Sequence, residues 1–166
     1  KEEIKKGRQV YIVYPLIEES SKLDYENLMK GFEEVKSFFP EPKYWISMVH
    51  GKQTAAQKET NMQRFVKADT QIMVSTTVIE VGVNVPNASV MVIESAEKFG
   101  LSQLHQLRGR VGRGAEKSFC ILLTGPKVSN DARERLKIMV ATNDGFKIAE
   151  KDLEIRGPGD IEGTKQ

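Results

Sequence analysis

The chain has 166 residues, 39% hydrophobic and 29% charged, with a formal net charge of +2. That balance excludes a disordered chain and fits one domain with a substantial core, or one domain plus an appendage. It also excludes a free-standing, strongly basic DNA-binding domain, so any nucleic-acid contact must be local or shared with other domains.

Lys1-Glu2-Glu3-Ile4-Lys5-Lys6 reads as the end of a helix that starts before the first residue, with Gly7 as its C-cap. These residues lack the apolar stretch of a signal peptide. Gln9 to Tyr14 is a β-branched and aromatic run, a buried strand stopped by Pro15. Asp24 can cap a helix carrying Leu28, Phe32, Val35 and Phe38/Phe39, which Pro40 ends. Trp45 to Val49 is a second strand leading into His50-Gly51, and Thr54 caps a helix with Met62, Phe65 and Val66 facing inward. Gln71 to Ser75 and Ser89 to Ile93 are the third and fourth strands. A helix follows from about Gly100, then a fifth strand over Ser118 to Leu123. Cys120, the single cysteine, lies in this last strand, forms no internal disulfide and reads as a buried small hydrophobe.

Short apolar strands alternating with helices predict an α/β fold with a mostly parallel sheet covered on both faces. Its working loops emerge at the strands' carboxyl ends, which brings His50-Gly51, Ser75-Thr76-Thr77 and the loop after Ile93 to one edge. After Gly125-Pro126 the pattern changes to a helical hairpin. Ala132, Leu136, Met139 and Val140 form one stripe, Asp144-Gly145 interrupts it, and Phe146, Ala149 and Leu153 begin another. The expected division is residues 1–126 for the sheet domain and 127–166 for the hairpin and the Gly/Pro loop after Arg156. No apolar run approaches the roughly 20 residues that span a bilayer, so no membrane partner is expected and the location reads as cytoplasmic.

The chemistry concentrates in Gln103 to Arg113. On a helix, Leu101, Leu104, Leu107 and Val111 share a core-facing stripe, while Gln106, Arg110 and Arg113 share another. Gly109 and Gly112 flank that polar stripe, where absent side chains let something bulky approach the backbone. Glycine costs a helix interior about 1 kcal/mol against alanine, which argues for a purpose other than packing. Two arginines backed by an amide make a planar fork suited to a phosphate chain, rather than an ordinary solvated basic face. A second constellation is Ser75-Thr76-Thr77 through Gly82, Asn84 and Pro86. Hydroxyls at a strand's end can grip a nucleic-acid backbone without reading sequence. Taken alone, the segment reads equally well as a strand-to-helix connection with capping threonines. His50 and His105 read as structural residues, since nothing near them supplies the base and orienter that catalysis needs.

Gln106-x-x-Gly109-Arg110-x-x-Arg113 resembles the last motif of superfamily 2 helicases, in which the second arginine is an arginine finger. The resemblance implies that Arg113 and Arg110 are catalytic, and that Gln106, Arg110, Arg113, Gly82 and Asn84 meet ATP. It gives Thr76, with Thr77, a DNA-backbone contact. An acidic residue often stands two positions after the glycine in that family; here Asn84 keeps a hydrogen bond and loses the carboxylate. His50-Gly51 is similar to the His-Gly pair that follows a strand in these lobes. Asp144-Gly145-Phe146 and Ala149-Glu150-x-Asp152-Leu153-x-x-Arg156-Gly157-Pro158-Gly159-Asp160 narrow the likeness to the RecG-type helicases, which remodel branched DNA. The transcription-repair coupling factor Mfd is the runner-up. The resemblance runs from Gln9 to Gln166, which stops where the family's loop continues, and it implies a RecA-like three-layer fold. It makes the hairpin and loop a coupling element, with Arg156 as the coupling residue. Arg156 can also be read as a cation at a helix C-terminus.

The sequence holds no G-x-x-x-x-G-K-[ST] loop and no strand ending in Asp-Glu. A phosphoryl-transfer site needs a phosphate cradle and metal ligands besides charge stabilisation. The expected role is therefore the second RecA-like lobe of a two-lobe ATP-dependent DNA helicase acting on branched DNA, inactive alone. ATP and Mg²⁺ would be bound mainly by the first lobe, and no metal site is expected here. The expected partners are branched DNA and the first lobe and DNA-binding domain of the same parent chain. Rival readings are a doubly wound nucleotide-binding module and a scaffold lobe without activity. A generic RNA helicase would leave the hairpin without a role.

Overall fold

Strand β1 (Gln9–Tyr14) is apolar on both of its faces and buried from Gln9 to Val13, so it belongs in the middle of a sheet. The computed structural model, which describes residues 1–16, 21–76, 85–111 and 117–156 (Ser21 and Arg156 by backbone alone), puts it there. β3 (Ile72–Thr76) and β4 (Ala88–Ile93) flank β1, with β2 (Ile46–Val49) and β5 (Phe119–Leu122) outermost. The order is β2-β3-β1-β4-β5 and every pairing is parallel. The register sets Tyr14 beside Thr76, Val49 beside Ser75 and Val13 beside Ile93. The carboxyl ends of the strands therefore share one edge, as the alternation of elements predicts.

Alternating side chains along each strand feed two cores. Tyr11, Val13, Met73, Met91 and Ile93 pack with Met62 and Phe65 of α3 (Ala55–Val66) and with Leu101 and Leu104 of α4 (Leu101–Arg108). The same cluster takes in Met139 of α5 (Asn130–Ala141) and Ile148 of α6 (Gly145–Arg156). On the other face Val10, Ile12, Ile72, Val74 and Val90 pack with Leu28 of α2 (Ser21–Phe38), and with partly buried Ile4 of α1 (Glu2–Lys5). Helices on both faces of a parallel sheet give the RecA-like three-layer arrangement.

Several ends and faces differ from the periodicity. α2 starts at Ser21, so Asp24 lies in its first turn and complements the helix dipole there instead of capping it. Thr54 does cap α3, accepting from the Gln57 N–H at 3.2 Å while the Gln57 side chain accepts from the Thr54 N–H at 2.9 Å. Val66 faces solvent, and so does Val140 in α5. In α6 the buried residue is Ile148, while Phe146, Ala149 and Leu153 are exposed. Periodicity finds apolar faces but cannot choose between two of them; here contact with α4 and α5 chooses. Gly7, at φ 83°, ends α1 in the left-handed conformation that glycine permits.

Candidate nucleotide and DNA site

Leu101 and Leu104 are fully buried and anchor α4 on the sheet, which leaves Gln106 exposed on the opposite side. The helix stops at Arg108. Gly109 caps it with right-handed backbone, its N–H donating to the His105 carbonyl at 3.1 Å. The Arg110 N–H donates to the Leu107 carbonyl at 3.1 Å, so Arg110 sits in the turn beyond the helix, half-buried. Gln106 and Arg110 are thus not on one continuous helix, contrary to the 3.6-residue reading. A β-carbon on Gly109 would meet only the Gln106 and His105 carbonyls at 3.5 Å, an ordinary contact.

The central strands carry a group of buried hydroxyls. Tyr11 on β1 and Ser75 on β3 are 2% and 0% exposed, and neither hydroxyl completes a hydrogen bond. Burial pushes the Tyr11 phenol up to about 12, against the pull of the Arg110 charge. Thr76, the last residue of β3, is 3% exposed and its hydroxyl also lacks a partner. Orphaned buried hydroxyls are uncommon, because each forfeits its hydrogen bonds to water.

Arg108 holds α4 to the hairpin. Its guanidinium donates to the Met139 carbonyl of α5 at 2.5 Å and lies 3.3 Å from His105 Nδ1. His105 in turn abuts Gly145 at the start of α6, where a β-carbon would stand 3.1 Å from Nε2. At the far side of the carboxyl edge, His50 Nδ1 accepts from the Lys52 N–H at 3.2 Å. The His50 ring meets Tyr25 edge-on at 5.1 Å, and Lys52 Nζ lies over Tyr25 at 4.2 Å. Burial, then Lys52 and Lys58, lower the His50 pKa, so the imidazole is a neutral structural acceptor at pH 7.

Of the other candidate residues, Thr77, Gly82, Asn84 and Arg113 lie outside the described residues. Arg156 is the last residue of α6; its side chain is also outside the description.

Residues 1–115 match the helicase conserved C-terminal domain. The chain belongs to that family. Residues 142–166 match the C-terminal part of domain 3 of the ATP-dependent DNA helicase RecG, which makes this helicase lobe one of RecG type. It is 56% identical over 164 residues to the ATP-dependent DNA helicase RecG of Bacillus subtilis, covering 99% of this chain and 24% of the relative. Against RecG of Aquifex aeolicus the identity is 51% over 168 residues, with 99% and 21% covered. The structure of RecG bound to a three-way DNA junction aligns with a TM-score of 0.77 and 44% identity, covering 96% of this chain and 20% of that one. A single-residue variant of S. cerevisiae Dbp5 bound to RNA and ADP BeF3, at 16% identity and a TM-score of 0.58, shares the fold; 82% of this chain and 32% of that chain are covered. The lobe spans about a quarter of the length of the curated RecG relatives.

Sequence reasoning about this helicase lobe missed Arg108 and the Tyr11–Ser75 pair. Arg108 stands inside the arginine run, but its role appears only when α5 packs against α4. The signal for the hydroxyls was present: a tyrosine and a serine at core-facing positions of two strands that read as buried.

Proposed function

We propose that this lobe is the second RecA-like half of an ATP-dependent motor that moves on branched DNA. The observation that carries the reading is Arg110, half-buried in the turn after α4, next to Gly109, where no side chain stands. A guanidinium held there is suited to a phosphate chain entering from outside the chain. Arg110 and Arg113 close on the γ-phosphate, with Gln106, Gly82 and Asn84 lining the nucleotide. An arginine finger of this kind is worth ~10³ to 10⁵ in rate.

Among the described residues no cluster of three or more His, Cys, Asp or Glu side chains could hold a metal ion. The Mg²⁺ that accompanies ATP is held mainly by the first lobe, since this sequence has no strand ending in Asp-Glu. Thr76 and Thr77 grip a DNA backbone, and closure of the lobes shifts that grip. The hairpin of residues 127–166, through Arg156, turns the shift into travel along duplex DNA. The remaining partners are the first lobe and a DNA-binding domain of the same parent chain. No described helix is long and apolar enough to cross a membrane, and action on chromosomal DNA puts the protein with the nucleoid.

The test is fork-stimulated ATP turnover by the full-length protein, wild type against Arg113→Ala. Loss by orders of magnitude, with folding and DNA binding retained, supports the finger; unchanged turnover overturns it. The lobe alone should hydrolyse ATP negligibly even with DNA, and measurable turnover by it would refute the two-lobe reading.

A further inference from the structure

Tyr11 and Ser75 have no part in the motor as proposed above, yet they are the least economical residues of the core. Tyr11 packs edge-on against Phe65 in the cluster that also holds Val111, Ser75 is fully buried, and neither hydroxyl completes a hydrogen bond. A phenylalanine and an alanine would fill the same volumes without the desolvation. The register places them diagonally on one face of adjacent strands, Tyr11 opposite Met73 and Ser75 two residues further toward the carboxyl edge. Val111, in the same cluster, ties the turn that carries Arg110 to this face.

We infer that the Tyr11 and Ser75 hydroxyls are positioning groups for Arg110, held ready to receive its guanidinium when the lobes close on nucleotide. The inference rests on the nucleotide role proposed for Arg110. Tyr11 accepts a guanidinium N–H and donates its own proton to Ser75, so both orphans are satisfied together. The fork is thereby fixed in the plane that the phosphate needs. The Arg110 charge also acts on the Tyr11 phenol in the sense that favours an electron-rich oxygen. Because Ser75 immediately precedes Thr76, the same pair joins the nucleotide side of the sheet to the strand end proposed to hold DNA.

The experiment uses the full-length protein with fork DNA and four variants: Tyr11→Phe, Arg110→Ala, Arg110→Lys and the Tyr11→Phe/Arg110→Lys double. Tyr11→Phe should lower turnover at saturating ATP about tenfold, the effect of one ordinary hydrogen bond made only in the transition state. The KM for ATP should change little, and the Tm should stay level or rise, since an unsatisfied hydroxyl has been removed. On Arg110→Lys, which loses the planar fork, Tyr11→Phe should have no further effect. Wild-type turnover in Tyr11→Phe, or a tenfold loss that repeats in full on Arg110→Lys, overturns the positioning role. Full turnover in Arg110→Ala instead overturns the nucleotide role beneath it. The two failures are thus distinguishable.

Discussion

Arg108 at the end of α4 and Met139 near the end of α5 are joined by a 2.5 Å bond from guanidinium to backbone carbonyl. The carbonyl belongs to the last turn of α5, where helix carbonyls have few partners of their own. Arg108→Ala leaves it unsatisfied in a half-buried setting. We expect a loss of about 1–3 kcal/mol in the denaturant-induced unfolding of this lobe. In the full-length protein ATP turnover should persist while strand separation per ATP falls, which paired turnover and fork-unwinding assays will read.

Gln9 is 2% exposed and uses its whole amide. Nε2 donates to the Phe65 and Thr70 carbonyls at 2.7 Å each, and Oε1 accepts from Asn87 Nδ2 at 3.0 Å. Gln9→Leu keeps the volume and strands both carbonyls, so stability should fall by about 2–5 kcal/mol. A loss below about 1 kcal/mol would mean that water satisfies them.

Gly31→Ala sets two effects against each other. Alanine gains about 1 kcal/mol of helix propensity in mid-helix. Its β-carbon, however, would enter the space of the Tyr14 ring and hydroxyl, which lie directly on Gly31. Overpacking of this kind costs about 1–3 kcal/mol, so we expect net destabilisation in thermal melts. Tyr14→Leu should relieve part of it.

His50 gives the lobe an acid-sensitive point. Its folded-state pKa is lowered, by burial first and by Lys52 and Lys58 next. The unfolded chain therefore binds the proton more readily than the folded one. The stabilisation from neutral His50 is complete above its ordinary pKa of 6.5 and declines as pH falls below that value. Unfolding midpoints from pH 8 to pH 5 should fall more steeply for wild type than for His50→Asn; parallel profiles would exclude the effect.

The strands were readable because each is a short apolar run bounded by breakers, and all five begin and end within one residue of the apolar pattern. The capping box at Thr54 was likewise visible as a local motif. What failed was the helical continuation from Arg108 to Val111. The apolar spacing through Val111 held, since Val111 is buried, but Gly109 let the backbone leave the helix while keeping that side chain inward. In the hairpin the stripe of Phe146, Ala149 and Leu153 was read as the apolar face, yet Ile148 is the one that is buried. Only the neighbour, with His105 set against Gly145, decides which one turns in. Of the candidate site, Gln106, Arg110 and Thr76 could be traced to positions in the fold. The partners of Arg108 and the orphaned hydroxyls depend on pairings between distant segments, which no local pattern encodes.

The strand order has a consequence for how the lobe is made. β1 leaves the ribosome before the other four strands, yet it is the central one: Val10 lies between Ile72 and Val90. Until β4 has been synthesised, one flank of β1 has no backbone partner and Tyr11, Val13 and Ile12 have no settled neighbours. Non-local parallel pairing of this kind folds slowly and exposes apolar strand edges meanwhile. Nascent chains halted between Thr76 and Ala88 should therefore bind chaperones, whereas chains extended past Leu122 should be released.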